Sequence, residues 1–195
     1  MKLLLHICCA NCALYPVARL DSLGVDFVGL WYNPNIHPEE EYESRLGAVR
    51  ELQDLWGLRV EYSGGYGLGR FNDALRGRRG LRCEACYEIR LEEAASTARK
   101  MGLDGFTTTL LVSPHQRFGL VVDTGERMGR KYSIPFFAED FRPGWREAAQ
   151  VSRGLGLYRQ KYCGCHYSRA ERAEAMASKG RRREAGPLCV KRSDA

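Results

Sequence analysis

Three cysteines crowd the end of one apolar run: "LLLHICCANC", Leu3 to Cys12, carries Cys8, Cys9 and Cys12. Two pairs follow, Cys83 and Cys86 in "CEAC" and Cys163 and Cys165 in "YCGC". Cys189 alone among the eight cysteines stands apart, and it is read as incidental. In a reducing compartment, closely spaced cysteines serve more often as metal ligands or redox groups than as structural crosslinks. Four thiolates from a strand end and a helical turn can surround one metal centre, zinc or iron–sulfur. Spacing does not choose between them: a closed zinc site normally uses two separated C-x2-C pairs, and the ferredoxin ligand run is absent. The competing reading is a reduced core pair with surface thiols. "YCGC" is a different object, because Gly164 frees the backbone to turn. A disulfide there would close a small, strained and easily reduced ring, as a redox relay needs. Alternatively the pair gives two ligands to a second metal, with Cys12 as a candidate third, and both alternatives stand.

These residues need elements to hold them. Short apolar runs alternate with longer amphipathic ones, which predicts an α/β fold with an open, mostly parallel Rossmann-like (HUP-like) sheet flanked by helices. The expected strands are "KLLLHI", "VDFVGLWY", "RVEYS", "GFTTTLL" and "IPFFA"; the expected helices lie near 12–23, 39–56, 84–101, 115–131, 144–153 and 168–179. Pro38 followed by Glu39 to Glu41 suits a helix start. Ligands of such sheets bind beyond the carboxyl ends of the strands, where Cys8, Cys9 and "TTTLLVSPHQ" would sit. Adjacent strand residues face opposite ways, so Cys8 and Cys9 require a bend, and a strand-to-helix turn supplies one. "CEAC" puts Cys83 and Cys86 on one helical face.

Other residues are weighed against plainer roles. His6, among apolar neighbours, reads as a satisfied core histidine. His115, after "SP" on the functional edge, is a candidate proton donor. Asp140 and Arg142 in "EDFRPGW" either touch substrate or pair with each other. Tyr158, Arg159 and Tyr162 either meet a nucleobase or pack. Thr107 to Thr109 fit a strand by propensity, with phosphate contact the weaker reading. "SGGYGLGR" lacks the Lys-Ser/Thr ending of a phosphate loop and reads as a flexible loop.

The 195 residues suit one domain, 1–167, carrying all the paired cysteines, followed by a basic helix or tail, 168–195. Net charge is +6, and the tail holds eight Lys or Arg against four Asp or Glu, so +4 lies there. "RGRRGLR" before Cys83 is a second basic stretch. Such charge beside a reactive site suits a polyanion such as RNA, and otherwise makes a solvated surface. Leu3 to Leu5 is too short for a signal-peptide core, and no run approaches a membrane span, so the expectation is cytoplasmic, without membrane association.

"HICCANC", "CEACYEIRLEEAA", "FTTTLLVSPHQ", "EDFRPGW" and "YRQKYCGCHYS", in this order over residues 3–168, resemble the QueH-type epoxyqueuosine reductases. Asn11 stands where that family usually has proline. The resemblance implies a cobalamin-independent, metal-dependent reductase that converts epoxyqueuosine to queuosine at the wobble position of tRNA anticodons, the last step of queuosine biosynthesis. It implies a 4Fe-4S cluster on Cys8, Cys9, Cys83 and Cys86, and a redox or second-metal role for Cys163 and Cys165, that metal being mononuclear iron or zinc. Cys12 either joins the second metal or stays free. Cys163, Cys165, Asp140 and His115 are the implied catalytic residues, and tRNA and an external electron donor the implied partners. Two other functions compete. One is a non-catalytic zinc protein associated with RNA. The other is a sulfur-transfer enzyme of the nucleotide-hydrolase fold, whose S-G-G-x-D-S loop would stand where "CCANCA" does.

Overall fold

The computed structural model describes residues 1–78 and 80–184; Cys189 and the end of the basic tail lie outside them. Lys2–Ile7 forms strand β1, whose Leu3, Leu4, Leu5 and Ile7 are all buried. A strand apolar on both faces needs cover on both, which is the habit of parallel sheets. β1 pairs in parallel with β2 (Asp26–Trp31) on one side and β4 (Gly105–Thr108) on the other. β3 (Val60–Tyr62) adds to β2, giving the order β3-β2-β1-β4. The chain therefore moves outward in one direction through β2 and β3, then returns to the far side of β1. The gap between the carboxyl ends of β1 and β4 is the topological switch point, where such sheets bind ligands.

Helices α1 (Ala10–Ser22), α2 (Glu39–Trp56), α3 (Leu68–Leu75), α4 (Arg82–Lys100), α5 (Phe118–Tyr132), α6 (Trp145–Gly154) and α7 (His166–Glu184) flank the sheet or follow it. α2 starts as expected, with Pro38 at its N-cap and three glutamates in its first turn. The expected domain boundary after residue 167 falls in the first turn of α7.

Three local expectations change. "GFTTTLL" is a strand only to Thr108, because the Thr108 hydroxyl accepts the Leu110 N–H and winds Thr109–Val112 into a 3-10 turn. "IPFFA" makes a single parallel bridge, Phe106 to Phe136, rather than a strand. Within "SGGYGLGR" the loop gives way to α3 at Leu68, anchored by buried Phe71. None of the described helices is long and apolar enough to cross a membrane.

Candidate metal centre and cavity

The chain bends between β1 and α1. Cys9 remains extended (φ −173°, ψ 162°) as the N-cap of α1, and its sulfur accepts the Cys12 N–H at 3.4 Å. Cys8 is fixed from the neighbouring strand's end: its N–H donates to Thr109 Oγ1 at 2.9 Å, and that hydroxyl lies 3.1 Å from its sulfur. The turn thus reconciles two residues that an extended strand would point apart. The sulfurs of Cys8, Cys9 and Cys12 all lie within 4.8 Å of one another. Hydrogen bonds from the Cys12 and Cys9 thiols hold the Cys8 pKa well below its usual value. Burial pushes the Cys9 thiol up, and Cys12 is raised because it shares its proton with Cys8 and Cys9. The three sulfurs share hydrogen bonds at a helix N-terminus, whose dipole favours negative charge on them.

α4 carries the second group. Cys83 is half-buried in its first turn and Cys86 is buried one turn on, where burial raises the thiol to about 12. Arg90 follows on the same face, donating from Nε to the Cys86 carbonyl (2.9 Å) and from Nη2 to its sulfur (3.2 Å). Its guanidinium is buried and has no carboxylate partner among the described residues. Burial opposes its charge, and the sulfurs of Cys86, Cys163 and Cys8 outweigh that opposition.

Cys163 and Cys165 sit on the segment before α7. Gly164 between them adopts φ +146°, and a Cβ there would stand 3.1 Å from Asn35 Nδ2 and 3.4 Å from Arg45 Nη1. Arg45, a buried arginine on α2, straps this segment down. It donates to the carbonyls of Cys163 and Tyr162, each at 3.0 Å, and pairs with Glu41 at 2.8 Å. Asn11 helps, with Nδ2 bonded to the Tyr158 carbonyl (3.0 Å) and to Gln160 (2.8 Å). The residue that departs from the usual proline thus ties the first cysteine motif to the last.

A cavity of about 350 Å³ opens over the triad. Cys8, Cys9, Cys12 and Cys163 line it, together with Arg90, Gln116, Gln160 and, towards solvent, His115, Trp145, Lys161, Tyr162 and Arg172. A smaller enclosed space of about 30 Å³ lies between Cys83, Cys86, Cys163 and Cys165. Arg90, Asn35, Gln116 and Cys163 border both. The fold therefore gathers the seven described cysteines as Cys8, Cys9 and Cys12 on one side, and Cys83, Cys86 and Cys165 on the other, with Cys163 between. Among the described residues no carboxylate lines either space.

The remaining candidates fall as follows. His115 lies at the mouth, 5.9 Å edge-on from Trp145. Gly144 lets the turn before Trp145 rest on α1, since a Cβ there would stand 1.9 Å from the Tyr15 ring. Asp140 is exposed, paired with Arg142 at 2.7 Å, and borders neither space. His6 is a satisfied core residue, its Nδ1 2.8 Å from the Thr108 hydroxyl and its pKa lowered to about 4 by burial. The hydroxyls of Thr107, Thr108 and Thr109 are all engaged within the protein. Tyr158 bonds Glu41 and Tyr162 bonds the His37 carbonyl. Arg45 and Arg90 escaped sequence reasoning, although Arg90 stands one turn beyond Cys86 in "CEACYEIR".

The donor chemistry fits a soft metal centre. Thiolates select zinc, copper(I) or iron–sulfur, and a buried cation without a carboxylate suits an anionic thiolate-bound group.

Residues 3–171 match the family model described as "Epoxyqueuosine reductase QueH". Two relatives bear that same name. The one from Dehalococcoides mccartyi is 35% identical over 171 residues, covering 88% of this chain and 94% of that protein. The one from Thermotoga maritima is 37% identical over 190 residues, covering 92% and 96%. Among solved structures, a predicted subunit of a tRNA methyltransferase from Methanocaldococcus jannaschii aligns with a TM-score of 0.49 at 11% identity, over 78% of this chain and 74% of that one.

Proposed function

This chain belongs to the epoxyqueuosine reductase QueH family of oxidoreductases, and on that premise we propose that it reduces epoxyqueuosine to queuosine at the wobble position of tRNA, using a 4Fe-4S cluster. The observation that carries this reading is a thiol triad at the sheet's switch point, floor to a carboxylate-free cavity with a cationic mouth. The proposed cluster ligands are Cys8, Cys9, Cys83 and Cys86; Cys12, Cys163 and Cys165 are left for a second metal or a redox pair. The closeness of Cys12 to Cys8 and Cys9 favours its being a ligand over its being free. Residues 1–167 form the proposed catalytic unit.

Removing an epoxide oxygen breaks two C–O bonds, leaves a C=C bond and water, and consumes two electrons and two protons. When bound, the metal centre supplies electrons singly, received from an external donor, and a second metal supplies a Lewis acid for the leaving oxygen. The protein does the rest. Trp145 and Tyr162 offer aromatic faces to the nucleobase, and Gln116 and Gln160 offer amides to its polar edges. Lys161 and Arg172 meet backbone phosphates at the mouth. His115, steadied by the Trp145 ring, hands a proton to the departing oxygen. Asp140 acts at one remove, holding with Arg142 the turn that leads into Trp145.

The test is anaerobic purification, followed by iron, zinc and sulfide analysis and an assay on epoxyqueuosine tRNA. Close to four iron and four sulfide per chain, with turnover that Cys163→Ser abolishes at unchanged cluster absorbance, is the expected result. A colourless zinc protein, inactive even after cluster reconstitution, overturns it in favour of a non-catalytic RNA-associated role.

A further inference from the structure

A second cavity, of about 540 Å³, lies beside the cysteine site and, Cys83 apart, takes no part in the mechanism above. Arg78, Arg82, Arg117 and Tyr167 line it together with Cys83, and among the described residues no carboxylate does. Tyr167 is 41% exposed, with the Arg82 guanidinium 5.4 Å from its ring centroid. Two of the arginines have partners outside the cavity: Arg78 meets Glu88 at 2.6 Å, and Arg82 meets Glu171. Both are partly exposed surface pairs, which contribute little and leave donors free for another anion. Arg117 has no ion pair among the described residues. Its backbone marks the start of α5, and Arg82 opens α4, so two helix N-termini add positive potential to the same space.

The cavity adjoins the cysteine site. Arg82 and Cys83 border both it and the small space containing Cys163, and Cys163 in turn lines the cavity over the triad. Guanidinium donors beside an exposed aromatic ring are the means by which proteins hold a single-stranded nucleotide, phosphate by charge and base by stacking.

We propose that this cavity is a second nucleotide subsite, which holds the phosphate and base of the RNA residue next to the one placed over Cys8, Cys9 and Cys12. The proposal rests on the RNA-reductase reading and deepens it: the enzyme reads a dinucleotide step rather than an isolated nucleoside.

Binding of a fluorescent, unmodified anticodon stem-loop RNA over a salt series tests it directly. Wild type is compared with Tyr167→Ala, Tyr167→Phe and Arg117→Ala, all at exposed positions, and iron per chain is measured in each sample. Tyr167→Ala should weaken binding about tenfold or more, and Tyr167→Phe should restore it. Arg117→Ala should lower the slope of log K against log salt by about one. Unchanged affinity and slope in these variants, at wild-type iron content, overturn the subsite and leave the reductase reading standing. So does failure of the wild type to bind the RNA. Turnover of epoxyqueuosine as a free nucleoside by wild type tests the reductase reading separately.

Discussion

Replacing Arg45 with methionine removes the strap over the Cys163 segment while keeping most of the buried volume. The guanidinium is 3% exposed and the Glu41 carboxylate 11%, so this is a buried ion pair with two further carbonyl acceptors at 3.0 Å. Taking one partner from such a pair costs about 3–5 kcal/mol. Cys163 is exposed, so water takes over part of the lost hydrogen bonding, which places the cost near the low end. The loss should fall on local opening of 158–165 rather than on the whole fold. The anchors left behind lie mostly at the ends of the segment: the His37 N–H to the Gly164 carbonyl at 2.9 Å, Tyr162 to the His37 carbonyl, Tyr158 to Glu41, Asn11 to the Tyr158 carbonyl and Gln160, and Gln160 to the Cys9 sulfur. At 1.4 kcal/mol per decade, about 3 kcal/mol raises the open fraction roughly a hundredfold. Amide exchange in the metal-free variant should accelerate by that factor in 158–165, and Cys163 and Cys165 should react faster with a thiol reagent, while β1 and β4 stay protected. Equal acceleration throughout the sheet would refute the reasoning, since Arg45 would then be a core residue and not a strap.

Gly164→Ala should cost about 1–3 kcal/mol, from its φ of +146° and the crowding by Asn35 and Arg45, read as a lower urea midpoint. His37 is buried, bonded through Nε2 to the Pro34 carbonyl, and its pKa is lowered to about 4 by burial and by His166. The folded state therefore binds fewer protons than the unfolded one, so stability is full above pH 6.5 and falls, by about 3 kcal/mol, as pH drops from 6.5 to 4; His37→Phe should flatten that part of the urea-midpoint profile. Cys12→Ser and Cys83→Ser should lose different metals on iron and zinc analysis, and identical losses would join both residues to one site. Chelation should lower the melting temperature of wild type more than that of Arg90→Met, because losing a thiolate-bound metal weakens the anionic surroundings of the buried Arg90 guanidinium.

The sheet was legible because strands buried on both faces are short, apolar and bounded by turn residues. β1 and α2 begin and end where "KLLLHI" and 39–56 place them. α3 was not, because four glycines, Gly64, Gly65, Gly67 and Gly69, precede its apolar anchor Phe71 and glycine reads as loop. The first triad could be placed from chain order alone: a strand end, a required bend and a following helix leave little choice. The arginines could not. Charged residues default to the surface, so only the folded chain reveals that Arg45 and Arg90 are buried and what their charges face. The position of Cys163 between two cysteine groups depends on contacts between chain ends, which no local pattern encodes.

The thread from Cys9 to Gln160 spans 151 residues, and the one from Cys8 to Thr109 spans 101. β1, inside the sheet, is made before its second partner and completes its pairing only when β4 arrives. The cysteine site is later still, because the segment carrying Cys163 follows β4 and closes back onto α1 and α2. A nascent polypeptide thus exposes Cys8, Cys9 and Cys12 long before it can enclose anything between them. Closure of the cysteine site therefore comes no earlier than the synthesis of Cys165, after every strand of the sheet has been made.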